Sequence, residues 1–563
     1  MLGSMMRRAM LGDGSTLTLD FTTGVLDPRL TFTRGSNATF INSQGLVQWA
    51  ASNIMTFSED QGNNVTWSAF GTSVTRTTGQ SDPFGGTAAV RLAYDATSAD
   101  AVISRSVSVQ QGIPYVLSIW IRADSGTLSN VRIGRAASAT GAVFPSLTTT
   151  WQRVSLPFTA TGTSDGIEIR VLTSGSPKTA TFHVFGAQLE PGSTMNAYQP
   201  SLSSVAYQAP RFDHDPTTLA PRGLLIEGQG VNNCTYSQDF GNAVWLADNS
   251  GATNPSVSTV SQTAPDGSAT VNRITFNKTG GTFSRIRNLV SGTASNPHTL
   301  SVWMKANTAN GGAATQNVGL RIGADPAGFN CAVTTTWKRF QYTYTLSGTD
   351  ANVQIMLWDN IVGNDETADV LIWGAQLEAG SGASSYIPTG ASQGTRNVDK
   401  MSLLDITPMQ WNQTAGTFAL SMDVAAETNT TSFPAAWGMY TATPVRVIRV
   451  LINNSGGTTP RLFVDTWTSA PTQILNQPIS RPASPALTKF AFALSNSGQA
   501  VAMCVNSGAI TTGSGTGTMQ TPTRLLFHQD PSAADTELFP IHIRSFKYWP
   551  TSLSNAQLQS LTT

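Results

Sequence analysis

The sequence predicts an all-β protein made of tandem antiparallel β-sandwiches, and three observations carry that expectation. Apolar residues alternate with polar or small ones over short runs, as at Tyr115–Arg122, Ile167–Leu172 and Val353–Trp358. This is the period of a half-buried strand. Clusters of Gly, Ser, Asn and Pro separate the runs at the spacing of sandwich turns. A set of landmarks also recurs in the same order, far enough apart to mark two whole domains rather than a solenoid unit.

The landmarks define the copies. Asn53–Asp60 (NIMTFSED) returns as Asn232–Asp239 (NNCTYSQD), each followed by a tryptophan, Trp67 and Trp245. Leu117–Asp124 (LSIWIRAD) returns as Leu300–Asn307 (LSVWMKAN), and Thr148–Arg153 (TTTWQR) as Thr334–Arg339 (TTTWKR). Gly186–Glu190 and Gly374–Glu378 are identical (GAQLE), and Tyr198 and Tyr386 close the copies ahead of Pro200 and Pro388. The copies are placed at 51–202 and 232–392. A third sandwich is placed at 393–563, where Phe418, Leu420, Met422 and Val424 alternate, as do Phe490, Phe492 and Leu494, and then Val501, Met503 and Val505. Leu553–Leu561 is the best helix candidate, with Ser554 as its cap. Residues 16–50 and 203–231 are each too short for a domain. They are expected to join as a small discontinuous β attachment domain into which the first copy is inserted, as compact domains with close termini allow. Residues 1–15 carry Met1, Met5, Met6 and Met10 around Arg7 and Arg8. They read as a flexible docking arm or a disordered terminus.

Composition narrows the function classes. The chain has 563 residues, 33 Lys+Arg against 33 Asp+Glu, and only 12% charged residues, where about 25% is ordinary. At 40% hydrophobic it can fill cores. Zero net charge with no basic block excludes a phosphate-neutralising nucleic-acid face. No run approaches the roughly 20 apolar residues of a membrane span. The start (MLGSMMRRAMLGDGS) lacks an apolar h-region, so no secretory signal is expected. Three cysteines, Cys234, Cys331 and Cys504, exclude a disulfide scaffold and a Cys-based zinc finger.

Residues 31–45 (TFTRGSNATFINSQG), with Arg211–Pro216 (RFDHDP) and Pro221–Glu227 (PRGLLIE), resemble a segment common in tailed-phage tail fibres and head-spike fibres. The repeated openings and the WGAQLE closing resemble carbohydrate-binding jelly rolls of such proteins. Ile541–Pro550 followed by Leu553–Leu558 resembles the last strand and tail of concanavalin A/laminin G-like domains. The resemblance implies a virion structural protein, assembled in the host cytoplasm and acting outside the cell. It would attach to head or tail proteins by its N-terminal part, bind cell-surface glycans with its sandwiches, and form a homotrimer. The alternatives are a polysaccharide-degrading enzyme with accessory binding modules and a purely structural decoration protein.

Sugar binding on a sheet needs an aromatic platform beside polar groups. Strand parity puts Ser118, Trp120 and Arg122 on one face, and Ser301, Trp303 and Lys305 on the equivalent one. Trp120, Arg122, Trp303 and Lys305 are therefore the candidate ligand-binding residues. The competing reading packs each tryptophan under a loop or a neighbouring subunit. Trp67, Trp245, Trp151 and Trp337 read as core anchors. Glu59, Asp60 and Glu190 are candidate oxygen ligands of a structural calcium or hydrogen-bond acceptors for loop backbone; no other cofactor is expected. No catalytic residues are assigned and no enzymatic activity is expected. Hydrolysis of a glycoside needs two carboxylates across one cleft, for which Asp213, Asp215 and Glu227 are candidates, though Asp leading into Pro is also ordinary turn chemistry. No GxSxG elbow or paired-histidine metal motif is present.

Overall fold

The computed structural model describes residues 13–563 except 71–73, 137–140, 173, 175, 205, 252, 310–311, 425–434, 443–444, 454–460, 469–471, 483–485 and 529–539. Most of the expected docking arm, residues 1–12, lies outside the described residues. The chain is all-β, in antiparallel sheets. No described helix is long and apolar enough to cross a membrane. The helix expected near the end spans Asn555–Leu561, with Ser554 and Gln557 forming a capping box.

The two copies have the same topology. In the first, one five-stranded sheet runs Gln152–Thr159, Pro114–Ala123, Thr179–Pro191, Ala89–Asp95, Val74–Gln80. In the second, the corresponding order is Lys338–Thr345, Pro297–Ala306, Thr367–Ala379, Val271–Asn277, Ser256–Val260. A further five-stranded sheet closes each sandwich. Leu117, Ile119 and Ile121 point into one core, and Leu300, Val302 and Met304 into the other. This is the face that alternation assigned to them.

The remaining strands form one larger sandwich. An eight-stranded sheet takes Gly416–Val424, Leu487–Ser495, Ala500–Val505 and Thr511–Ser514 on one side of Ile541–Trp549. On the other side, Ile541–Trp549 pairs with Leu17–Asp20 and with Pro221–Ile226. In the facing seven-stranded sheet, Thr31–Thr33 pairs with Lys400–Leu403. Leu17, Leu19, Leu224 and Ile226 share one core with Phe418, Phe492 and Phe546.

The segments 16–50 and 203–231 therefore do not stand as a separate attachment domain. Their strands complete the C-terminal sandwich, and both copies are insertions into it. The physical reason is size. Strands of three to six residues cannot bury a core alone, whereas Ile541–Trp549 offers an unpaired edge. Each insertion is closed at its neck by a short antiparallel pair, Ser52–Asn53 with Tyr207–Gln208 and Gly230–Asn232 with Gly394–Arg396. The hairpin Thr39–Ile41 and Val47–Trp49 belongs to neither large sheet. It lies against the second copy, where the Val47 N–H donates to Pro265 O at 2.9 Å.

Candidate functional site

The repeated landmarks build a frame first. Asn53 Nδ2 donates to Ala187 O and Gln199 O, and its Oδ1 accepts from the Met55 and Leu189 N–H groups. Asn232 does the same with Ala375, Ile387, Cys234 and Leu377. Ser58 bonds the Tyr198 hydroxyl at 2.9 Å, and Ser237 that of Tyr386 at 2.7 Å. Arg153 donates to Ser118 Oγ and Asn196 O, and Arg339 to Ser301 Oγ and Ser384 O. Gly186 (φ +60°) and Gly374 (φ +67°) sit in left-handed backbone at matching bulges. A Cβ at Gly186 would lie 2.8 Å from the Tyr198 ring, so GAQLE needs its glycine twice over.

The calcium candidates are engaged in this frame. Glu190 accepts from Gln188 Nε2 and from both nitrogens of Asn196. Asp60 accepts from Thr66 Oγ1, and Glu59 from the Tyr198 hydroxyl. Burial pushes the Glu59 carboxyl up despite that bond. Among the described residues, no group of three His, Cys, Asp or Glu side chains is placed to hold a metal.

On the outer sheet face of the first copy, Trp120 and Arg122 stand where parity put them, and both are half-buried. Trp120 meets Phe84 edge-on at 5.7 Å, and Phe84 stacks on Tyr198 at 6.2 Å and leans on Phe185. Phe84 is 65% exposed. The Arg122 guanidinium lies 5.3 Å over the Trp151 ring, so Trp151 belongs to this face rather than the core. Asp124 binds Arg91 and His183 beside it, and these bonds hold its carboxyl below the usual range. Burial keeps the His183 imidazole below its ordinary value even so. The result is an aromatic row capped by the exposed Phe84, with Arg91 and His183 paired to Asp124 and Arg122 stacked on Trp151. Parity could have found Phe185, and the repeated closing tyrosine pointed to Tyr198. Phe84 comes from a turn and carries no periodic signal.

The same face of the second copy is covered. Trp303 is 8% exposed and Tyr386 2%, and they cluster with Trp373, Leu371 and Val47. Trp303 meets Trp373 and Tyr386 edge-on, with the Arg339 guanidinium 4.5 Å over its ring. What remains open is a cleft of about 600 Å³ beside the hairpin, lined by Trp303, Lys305, Trp337 and Lys338, and by His214 from the larger sandwich. The structure thus brings Trp303 and Lys305 to one cleft and leaves Trp120 and Arg122 on a separate face.

The acidic cluster considered for hydrolysis has other partners. Asp213 bonds His542 Nε2 at 2.7 Å, and His542 Nδ1 faces Asp423 at 2.9 Å. Burial opposes the His542 charge, but the two carboxylates hold its pKa above the ordinary value. Asp215 accepts from the Thr217 and Thr218 N–H groups in a turn. Glu227 is fully buried, 2.6 Å from Arg211 and 3.2 Å from Arg396, and also accepts from Ser385. Burial alone would raise its pKa, and the two guanidiniums hold it well below the usual carboxylate range. Asp399 links Arg211 to Arg34. This network joins four segments of chain; Asp213 and Glu227 both line the cleft beside the hairpin, each already engaged, Asp213 by His542 and Glu227 by Arg211 and Arg396.

A sequence family described as a carbohydrate binding domain matches residues 52–179, within the first copy. No curated protein matches the chain. Among solved structures, the chain is similar to the N-terminal CBM22-1-CBM22-2 tandem domain of Paenibacillus barcinonensis Xyn10C, at 14% identity and a TM-score of 0.20, covering 59% of this chain and 98% of that one. It is similar to the Ruminococcus gnavus IT-sialidase CBM40 bound to α2,3-sialyllactose, at 14% identity and a TM-score of 0.21, over 27% of this chain and 83% of that one. It is also similar to the enzymatically active domain of bacteriophage CBA120 tailspike protein 4, at 18% identity and a TM-score of 0.19, over 25% of this chain and 21% of that one.

Proposed function

We propose that the chain is a non-catalytic glycan-binding adhesin, carried on the virion of a tailed phage as a tail fibre or head spike. The observation that carries the glycan part is the aromatic row of the first copy, on the sandwich that matches a carbohydrate binding domain. Flat indole and phenol rings stack on the apolar face of a pyranose, while Arg122 and neighbouring polar groups bond its hydroxyls. The virion part rests on the resemblance of residues 31–45 and 211–227 to phage-fibre segments, and the C-terminal sandwich is read as concanavalin A/laminin G-like on the same ground. In this reading the chain is a homotrimer, because weak single-site contacts gain strength through multivalency. It meets head or tail proteins through its N-terminal region, assembles in the host cytoplasm and works outside the cell.

The test incubates the purified chain with the host's isolated surface polysaccharide and follows both retention and polymer length. Retention with intact polymer, lost in Trp120→Ala, is the expected outcome. Shortened polymer would overturn the non-catalytic reading, and absence of retention would favour a decoration protein. A monomeric mass in solution would count against the fibre.

A further inference from the structure

The sheets that lie across each sandwich from the aromatic rows differ between the copies at one position. The central strand of that sheet is Ser164–Val171 in the first copy and Val353–Trp358 in the second. Glu168 lies there between core-facing Ile167 and Ile169, and Gln354 between core-facing Val353 and Ile355. Both side chains therefore leave the outer face. Glu168 is a carboxylate among arginines: it pairs with Arg132 and, at 2.8 Å, with Arg170, which Asp100 also meets. Gln354 is a neutral amide among arginines. Arg287 and Arg321 stand directly opposite it on the flanking strands. Its Oε1 accepts from Arg285 Nη1 at 2.9 Å and from Arg321 Nη1 at 3.1 Å, and its Nε2 donates to Gly323 O.

One neutral oxygen thus holds two guanidiniums together. Asp248 answers Arg285 at 2.7 Å and Arg287 at 3.4 Å. Among the described residues, no carboxylate lies within ion-pair distance of Arg321, and its Nη2 has no hydrogen-bond partner. Asp325 gives Arg321 only a backbone oxygen, at 2.7 Å; its carboxylate accepts from the Ala327 and Gly328 N–H groups and the Tyr342 hydroxyl. Burial and the neighbouring Arg285 hold the Arg321 pKa below its ordinary value, against the pull of Asp325 and Asp350. Aromatic rings fix the two guanidiniums: Arg285 lies 4.6 Å from the Phe283 centroid and Arg321 4.6 Å from that of Trp358, and these two rings are paired across the strands. Arg285, Arg321 and both rings are half-buried, so solvent reaches this face.

We infer that this face of the second copy is a saccharide site for sugars carrying an anionic group, and that Gln354 sets its charge preference. The anion lies against the free edge of Arg321, with Arg285 adding to the field; a guanidinium edge matches a carboxylate or a sulfate ester. Binding there breaks no existing ion pair of Arg321. In the first copy the carboxylate of Glu168 already occupies the corresponding place.

The inference rests on the glycan-binding reading, and the experiment separates the two. The full chain is titrated calorimetrically with an oligogalacturonate, a sulfated dextran oligomer, a neutral maltooligosaccharide of equal length and inorganic sulfate. At least one acidic oligomer should bind more tightly than the neutral oligomer and than sulfate, and should weaken with added salt; the arm that binds identifies the anionic group. Gln354→Glu puts the first copy's carboxylate among the same arginines. It should lower acidic binding by about tenfold or more with the fold retained, since Glu168 is buried in the equivalent place. Arg321→Gln should lower it by about tenfold. Trp120→Ala should leave acidic binding intact while reducing retention of host polysaccharide. The inference is overturned if neither acidic oligomer outbinds the neutral one, if sulfate alone binds as tightly as the acidic oligomers, or if Gln354→Glu leaves their affinity unchanged. Any of these results alongside Trp120-dependent retention of polysaccharide leaves the adhesin reading standing. Absence of all saccharide binding removes both.

Discussion

In the first copy, Trp120, Phe185 and Tyr198 face outward beneath the exposed ring of Phe84. In the second, Trp303, Trp373 and Tyr386 hold the same positions beneath the hairpin that begins at Thr39. The hydrogen-bonded frames under these two rows match residue for residue. The difference is what the rest of the chain lays on top. A repeated motif therefore repeats a scaffold, and accessibility is decided by segments remote in sequence. The second copy is also fastened more firmly, because Ser384 and Ser385 of its closing loop bond Arg396, Glu227 and Arg211 in a fully buried ion network. The neck of the first copy meets this network through a backbone contact, Arg34 donating to Ala209 O at 3.3 Å while it pairs with Asp399.

The strongest way to break this comparison is to remove the fastening. Glu227→Ala leaves Arg211 and Arg396 buried without that carboxylate and should cost about 3–5 kcal/mol, read by chemical denaturation of the second copy and the large sandwich. The pH dependence has a definite sign. The folded pKa of Glu227 is depressed, so its contribution is complete above the ordinary glutamate value of about 4.3 and is lost as pH falls. The folded pKa of His542 is raised, so its contribution is complete below about 6.5 and is lost as pH rises through the folded value. Melting temperatures across pH should therefore fall on both sides, with a shallower acid limb in Glu227→Ala and a shallower alkaline limb in His542→Asn.

Next in size is a matched pair of tryptophans. Trp303→Ala removes a buried ring and should destabilise by about 3–4 kcal/mol. Trp120→Ala removes a half-exposed one, costs less stability, and reduces polysaccharide retention. Equal losses of stability would mean that the two faces are equally buried. The frame is tested by Asn53→Ala and Asn232→Ala. Each strands several buried backbone groups, and each should cost about 1–3 kcal/mol, equal between the copies within about 0.5 kcal/mol. Unequal costs would show that the frame differs after all. The smallest effect belongs to Phe84→Ala, whose exposed ring should change stability by about 0.5 kcal/mol or less while weakening glycan retention measurably.

Much of this was legible in residues alone. Alternation at Leu117–Arg122 placed Trp120 and Arg122 on the outer face, and the capped terminal helix followed from Ser554. Other parts were not. Trp151 and Trp337 read as core anchors because tryptophan usually is one, yet both lie on outer faces: Trp151 beneath Arg122, and Trp337 along the cleft. Asp213 and Glu227 read as a possible acid–base pair, since nothing local reveals that His542, Arg211 and Arg396 hold them. The strands at 17–20 and 221–226 were legible as strands, but their partner lies more than three hundred residues away, at 541–549.

The sequence by itself determined the strand period, the two copies, their internal frame and which side chains leave each sheet. These depend on alternation and on bonds within a copy, and both are local. Only the tertiary structure decided that both copies are insertions into one larger sandwich and that a hairpin seals the second aromatic face. Strand pairing between distant segments is chosen by which edge stands open and which core can accept the apolar face. Backbone hydrogen bonds are the same for every residue type, so that choice leaves little trace in any one stretch of chain.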